Sequence, residues 1–200
     1  MSLLGGHLTG LANFGGRENR QPFWLWILIV YIAQTVVGML VMFPLMMSWM
    51  GPMMQGDPHR FDGHPELVMQ MMMPMMSNMM TFGAVLGVVW IVLIAAAVTR
   101  RLHDSDRSGW WAAPVLALHV LMPLVYASIF PKFFAAMGSV RDGMTPEQVN
   151  AAMLPAIQPI MWLSLGGMVG FVMMVVLVVF LCQPGTNGPN RFGDDPLAVR

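Results

Sequence analysis

Apolar positions along this chain neither alternate nor recur on a single helical stripe. They run in long blocks, separated by segments that hold the charge. Roughly 20 consecutive apolar residues suffice for a helix to cross the hydrocarbon of a bilayer with every backbone polar group bonded internally. Residues 23–47, 79–99, 110–130 and 160–182 reach that length, so the expectation is an all-α membrane protein, a bundle of four transmembrane helices in one domain over residues 1–200. The first block opens on Phe23, Trp24 and Trp26 and is followed by Trp49, an aromatic frame suited to both membrane–water interfaces. It exceeds the roughly 7–15-residue core of a secretory signal and is read as retained. The second block stops at Arg100 and Arg101, the third opens on Trp110 and Trp111, and the fourth ends at Gln183 and Pro184. Pro44 predicts a kink or stop near the end of the first helix, and Pro114 and Pro123 predict kinks in the third.

The segments between the blocks complete the outline: a methionine-rich loop at 48–78, a second loop at 131–158 and a tail at 183–200. Within the second loop, Thr145, Pro146 and Gln148 have the spacing of a capping box. They predict a short amphipathic helix whose apolar stripe is Val149, Ala152 and Met153. Glycines spaced by four, Gly83 with Gly87 and Gly166 with Gly170, predict close helix packing inside the bundle.

Charge then sets the orientation. An even number of crossings puts the start of the chain, the 100–109 turn and the tail on one side. That side holds Arg17, Arg20, Arg100, Arg101, Arg107, Arg191 and Arg200, against Arg60, Lys132 and Arg141 on the other. Positive residues resist translocation, so both termini are expected in the cytoplasm and both loops outside.

Composition agrees. Only 10% of residues are charged and 56% are apolar, where a soluble domain carries about 25% charged residues. The formal net charge is zero, which gives no basis for a nucleic-acid partner. Cys182 is the sole cysteine, so no intrachain disulfide can form.

Two regions carry candidate chemistry. Between Met39 and Met80 lie 15 of the 24 methionines. Thioethers together with imidazoles suit Cu(I), and Met71, Met72, Met75, Met76, His59 and His64 are the candidate ligands. The competing reading is an adaptable apolar segment that packs, or the early turns of the second spanning helix; no metal or cofactor is assigned. The second region is the polar face that topology assembles from three segments. Its candidate binding residues are Arg17, Arg20, Arg100, Arg101, His103, Asp104, Arg107, Ser108, Trp110, Trp111, Asn190 and Asp195. The arginines are expected to meet Asp104, Asp106, Asp194 and Asp195. Arginine forks bind carboxylates and lipid phosphates alike, so this face reads either as a clamp that fixes helix ends or as a site for membrane lipids, or for another membrane or cytoplasmic protein.

No catalytic residue is assigned. His103 and Asp104 are sequence neighbours and would point about 100° apart on a helix. No nucleophile elbow, paired-histidine metal motif or phosphate loop is present. The spans hold no Asp, Glu, Lys or Arg; His119 is their only ionisable side chain and is expected to bond a carbonyl in the bundle. A proton-coupled carrier would need a relay carboxylate there.

The three polar segments resemble a known family. Phe14, Gly16, Arg17, Arg20, Phe23 and Trp24 are similar to its opening motif. Arg100-Arg101-Leu102-His103-Asp104, followed by Arg107-Ser108-Gly109-Trp110-Trp111, resembles its central motif, and Gly188, Asn190, Phe192, Gly193, Asp195 and Pro196 its closing motif. The family is the domain of unknown function 805, small bacterial inner-membrane proteins, and the likeness runs from Phe14 to Pro196. It implies a multi-pass protein of the inner (plasma) membrane and implies no chemistry. The methionine-rich loop and the long second loop depart from the plain family pattern. The reading is therefore a non-enzymatic membrane component acting through its Arg/Asp/Trp face, with small-solute transport or copper handling through the methionine loop as the rival.

Overall fold

The computed structural model describes residues 3–55, 65–141 and 143–198. Helix α1 (Leu3–Thr9) leads into α2 (Arg20–Gln55), α3 (Pro65–Asp104), a single 3₁₀ turn at Gly109–Trp111, α4 (Ala113–Ser139) and α5 (Pro146–Cys182). No strand occurs among the described residues; the tail holds one isolated bridge between Asn190 and Gly193. Four helices are long and apolar enough to cross a membrane.

The helices outrun the apolar blocks that define them. Helix α2 passes Pro44 and ends at Gln55, so that proline does not stop it. Helix α3 begins at Pro65, which makes the run from Met69 to Met80 its early turns rather than a loop. Pro114 sits in the first turn of α4, where a missing N–H costs nothing; it starts the helix instead of kinking it. Pro123 and Pro131 lie inside α4. The capping box forms as expected: Gln148 N–H donates to Thr145 Oγ1 at 3.3 Å, and Thr145 N–H donates to Gln148 Oε1 at 2.9 Å. The helix it starts is not short, however. It runs through Pro155 and Pro159 into the fourth span, so the 131–158 segment is two helix ends joined by a turn.

The chain divides into two compact units. The first comprises Met1–Val36, Leu86–Val120 and Val169–Arg200. Its core is Phe23, Trp26 and Val30 of α2, Ile94, Ala97, Val98 and Leu102 of α3, Ala112, and Leu177 and Leu181 of α5. Trp26 donates its indole N–H to the Leu93 carbonyl at 2.9 Å, which ties α2 to α3 where a buried polar atom would otherwise lack a partner. Helix α4 closes on both neighbours through small residues: a Cβ on Gly87 would lie 3.5 Å from His119, and one on Gly170 3.2 Å from Leu118. His119 lies against the Trp90 ring, centroids 4.9 Å apart. It makes ring contacts and no hydrogen bond to a described residue, in place of the carbonyl bond expected for it. The second unit comprises Val37–Val85 and Leu121–Met168. Ala156 and Leu163 are buried there, and Gly166 faces Met122. Gly83 has nothing within 4 Å, so it does not mark a close approach. In both units large apolar side chains such as Leu40, Val88, Met168 and Phe171 are exposed, as lipid-facing residues must be.

Candidate functional site

The polar end of the first unit is built on the last turns of α3. Arg100, Arg101, His103 and Asp104 crowd that helix end, and the start of the chain and the tail fold onto them. Helix α3 closes with Asp106 in the left-handed region at φ 56°. Asp106 N–H bonds the His103 carbonyl and Arg107 N–H bonds the Leu102 carbonyl, the two bonds of a Schellman cap.

Asp104 is the hub. It is 3% exposed and receives two arginines. Arg17 Nη2 lies 3.0 Å from Oδ1, and Arg101 Nη1 bonds Oδ2. Arg17 continues to the tail, donating to the carbonyls of Gly188 and Thr186 at 2.6 Å each. Arg101 is fully buried. It donates to Leu181 O at 2.9 Å and also to Gln183 O, which caps the orphan carbonyls at the end of α5. A buried arginine is tolerable only when its donors and its charge are answered, and here both are. The Asp104 carbonyl in turn accepts Thr186 N–H at 2.8 Å.

A second ion pair stands beside this hub. Buried Glu18 takes Arg100 Nη2 at 2.9 Å and His7 Nε2 at 2.6 Å. Arg100 also donates to the carbonyls of Gly10 and Asn13, at 3.0 and 2.6 Å, so it gathers the segment between α1 and α2. His7 stacks on Trp26 at 4.8 Å. Glu18 and His7 are absent from the residues singled out in the sequence. Glu18 had a signal: it is the only carboxylate between two arginines at the start of the chain, and it must meet the pair Arg100–Arg101. His7 had none.

The remaining candidates divide. His103 stacks on Phe192 of the tail and its Nδ1 lies 3.2 Å from Gly16 O; it and Asp104 have separate partners and form no dyad. Asn190 donates to the His103 carbonyl and to Thr186 Oγ1, both at 2.9 Å. Asp195 meets no arginine directly. Its carboxylate accepts the N–H groups of Leu197 and Gly188 at 2.9 Å each. The Leu197 bond first, the Gly188 bond next and the charge of Arg17 hold it below the usual carboxylate range, against a small opposing effect of burial. Asp106 pairs with Arg191 at 3.1 Å, exposed to solvent. Asp194, expected among the carboxylates facing the arginines, makes no ion pair with a described residue. Ser108 caps the 3₁₀ turn, accepting Trp110 N–H. Trp110 and Trp111 are 81% and 55% exposed. Arg20 is exposed, with no side-chain partner among the described residues.

The methionine region lies in the second unit. A cavity of about 350 Å³ is lined there by Met73, Met76 and Met80 of α3 and by Phe130 and Phe134 of α4. Of the candidate copper ligands whose side chains are described, Met76 alone lines it. Met72 and Met75 are half-buried elsewhere on α3, the Met71 side chain is outside those described, and His59 and His64 fall outside the described residues. Among the described residues no three His, Cys, Asp or Glu side chains cluster as a metal would require.

Four apolar helices with an ion-paired cap at one end define a multi-pass integral membrane protein. The family described as "Protein of unknown function (DUF805)" matches residues 11–194, and the chain belongs to it. "Inner membrane protein YhaH" of Escherichia coli strain K12 is 25% identical over 189 residues, covering 94% of this chain and 91% of that one. "Inner membrane protein YhaI" of the same strain is 23% identical over 189 residues, covering 94% and 90%. No solved structure matches the chain. The protein is thus a multi-pass protein of the bacterial inner membrane, in a family without an assigned activity.

Proposed function

We propose that the chain is a non-enzymatic membrane component that engages anionic lipid of the cytoplasmic leaflet through its ion-paired end. One observation carries this reading. Arg17, Arg100, Arg101 and Arg191 each have a carboxylate partner, which accounts for them as the clamp. Arg20 and Arg107 have none among the described residues, and Trp110 and Trp111 stand exposed beside Arg107. Unpaired arginines with exposed indoles form a headgroup-level surface, since the indole sits at the interface and the guanidinium binds phosphate. The excess of arginine on this side of the chain supports a cytoplasmic orientation.

The test is native mass spectrometry of protein extracted with its surrounding lipid. Anionic lipid should be enriched over its bulk share, and the double variant Arg20→Gln/Arg107→Gln should lose that enrichment. Lipid retained at bulk proportions, or a protein partner bound at this face in its place, overturns the reading.

A second reading rests on the cavity of the second unit. Met73, Met76 and Met80 follow an i, i+3, i+7 spacing, and their thioethers share one lining with two phenylalanine rings. Soft sulfur ligands of that kind select Cu(I). Full-length protein in detergent, titrated with Cu(I) under reducing conditions, should bind it competitively with a chelating dye, and the triple Met→Leu variant should not. Equal titrations end this reading.

A further inference from the structure

Arg107 is held differently from the other arginines of the central motif. Its guanidinium lies 4.3 Å above the centroid of the Phe180 ring. Its one side-chain hydrogen bond among the described residues is long, 3.4 Å to the Ser105 carbonyl. Stacking over a ring fixes the plane of the fork and leaves its edge donors directed sideways. Phe180 also receives Trp111 edge-on at 5.2 Å, so Arg107, Phe180 and Trp111 form one continuous wall.

That wall continues into a groove of about 410 Å³. Ser108, Trp110 and Trp111 line it near the start of α4, and Val172, Val176 and Leu177 line it on α5. The groove is amphipathic along its length. One end of its lining offers the Ser108 hydroxyl and two indole N–H groups that bond no described residue, with the Arg107 guanidinium next along the wall over Phe180 rather than in the lining itself. Its lower end offers only hydrocarbon. No carboxylate is among its lining residues, so a cationic headgroup group would find no acceptor there. From Val172 to Phe180 the α5 wall rises about 12 Å, at about 1.5 Å per residue. The groove opens on a face of α5 where Val169, Phe171 and Val172 are exposed, the surface that lipid covers in a spanning helix.

We infer that this groove binds one anionic phospholipid of the surrounding leaflet, its phosphodiester on Arg107 and Ser108 and one acyl chain between Trp110–Trp111 and α5. The inference rests on the lipid reading above and names the site and the ligand class within it. A peptide is a poor fit, because the lower groove lies at the depth of the spanning helices, where unsatisfied backbone groups are costly. A soluble anion would use the donors and leave the groove unused.

The experiment is lipid titration of the full-length protein by native mass spectrometry, with phosphatidylglycerol, phosphatidylcholine and glycerol phosphate as probes. Phosphatidylglycerol should bind first and more tightly than phosphatidylcholine. Arg107→Gln should weaken that first event by about tenfold, the worth of one charge-assisted hydrogen bond, with phosphatidylcholine little changed. Val176→Trp, which fills the groove and leaves Arg107 in place, should displace the first lipid of either kind. Glycerol phosphate should not compete. Unchanged phosphatidylglycerol binding in both variants overturns this site; if wild-type enrichment of anionic lipid persists in them, the lipid reading of the face stands without it. Effective competition by glycerol phosphate also overturns the inference, in favour of a soluble-anion site. No anionic preference in the wild type overturns both.

Discussion

His103 and Phe192 lie flat against each other, ring centroids 3.8 Å apart and planes within 4°. One belongs to the last turn of α3 and the other to the tail, 89 residues apart in the sequence. Arg191 adds its guanidinium over the same Phe192 ring at 4.7 Å. Among its described residues the tail has no secondary structure beyond one bridge, and this stack is one of its anchors. An aromatic pair is worth about 0.5–1.5 kcal/mol beyond the area it buries. Phe192→Ala should therefore loosen residues 186–195, read as faster amide exchange there, and Phe192→Tyr should keep near-wild-type protection. Equal protection in Phe192→Ala and wild type would remove the stack from the account.

Asp104 tests the hub. Its ion-paired oxygens answer Arg17 and Arg101, whose side chains are 1% and 0% exposed. Removing one partner of a buried pair leaves uncompensated charge and costs roughly 3–5 kcal/mol. Asp104→Ala should cost that much in reversible unfolding, with the start of the chain and the tail both freed. Asp106→Asn is the contrast. It keeps a residue that tolerates the left-handed backbone and removes only the exposed pair with Arg191, whose partners are 61% and 48% exposed; its cost should stay under about 1 kcal/mol. Similar costs for the two variants would show that burial does not set the value of these pairs.

Gly109 packs tightly against the last turns of α3. A Cβ there would lie 2.6 Å from Thr99 Cγ2 and 3.3 Å from Thr99 Cβ. Gly109→Ala should cost about 1–3 kcal/mol by overpacking. Thr99→Ala removes the methyl and the hydroxyl that clash, so the double variant Gly109→Ala/Thr99→Ala should recover most of the loss. Additive losses in this cycle would place the role of Gly109 elsewhere.

Much of this arrangement is legible from the chain alone, because parity is a strong constraint. Four uncharged blocks force Arg17, Arg101 and Asn190 to one side of the membrane, and the structure brings them together at the end of α3 in the first unit. Individual partners are less legible. Asp195 and Asp194 are equivalent by charge and position, yet Asp195 is taken by backbone N–H groups, one of Leu197 two residues on and one of Gly188. Glu18 is buried against Arg100 because the first segment folds back through α1, a turn set by carbonyls that Arg100 gathers and not by any periodicity. The helices outrun the apolar blocks for one reason: hydropathy marks where lipid begins, whereas backbone hydrogen bonding carries α3 back to Pro65 and α5 back to Pro146. His119 escaped for another, since ring packing on Trp90 leaves no trace in spacing.

Asp195 gives the tail a dependence on pH. Its carboxylate is bonded in charged form by the N–H groups of Leu197 and Gly188, with Arg17 nearby, so its folded pKa lies below the unfolded one. A group depressed in this way contributes stability that is present above the unfolded pKa, about 4 for an aspartate. That contribution is lost as pH falls through the folded pKa, because protonation in the folded state removes the charge the two amides bond. The Gly188 and Leu197 amides should be protected from exchange at neutral pH. On acidification below about pH 4 they should lose that protection while the α3 core keeps its own. Asp195→Asn should show weaker protection at neutral pH and no further loss on acidification. If the acid-dependent loss survives in Asp195→Asn, another carboxylate governs the tail, with Asp194 the first to examine.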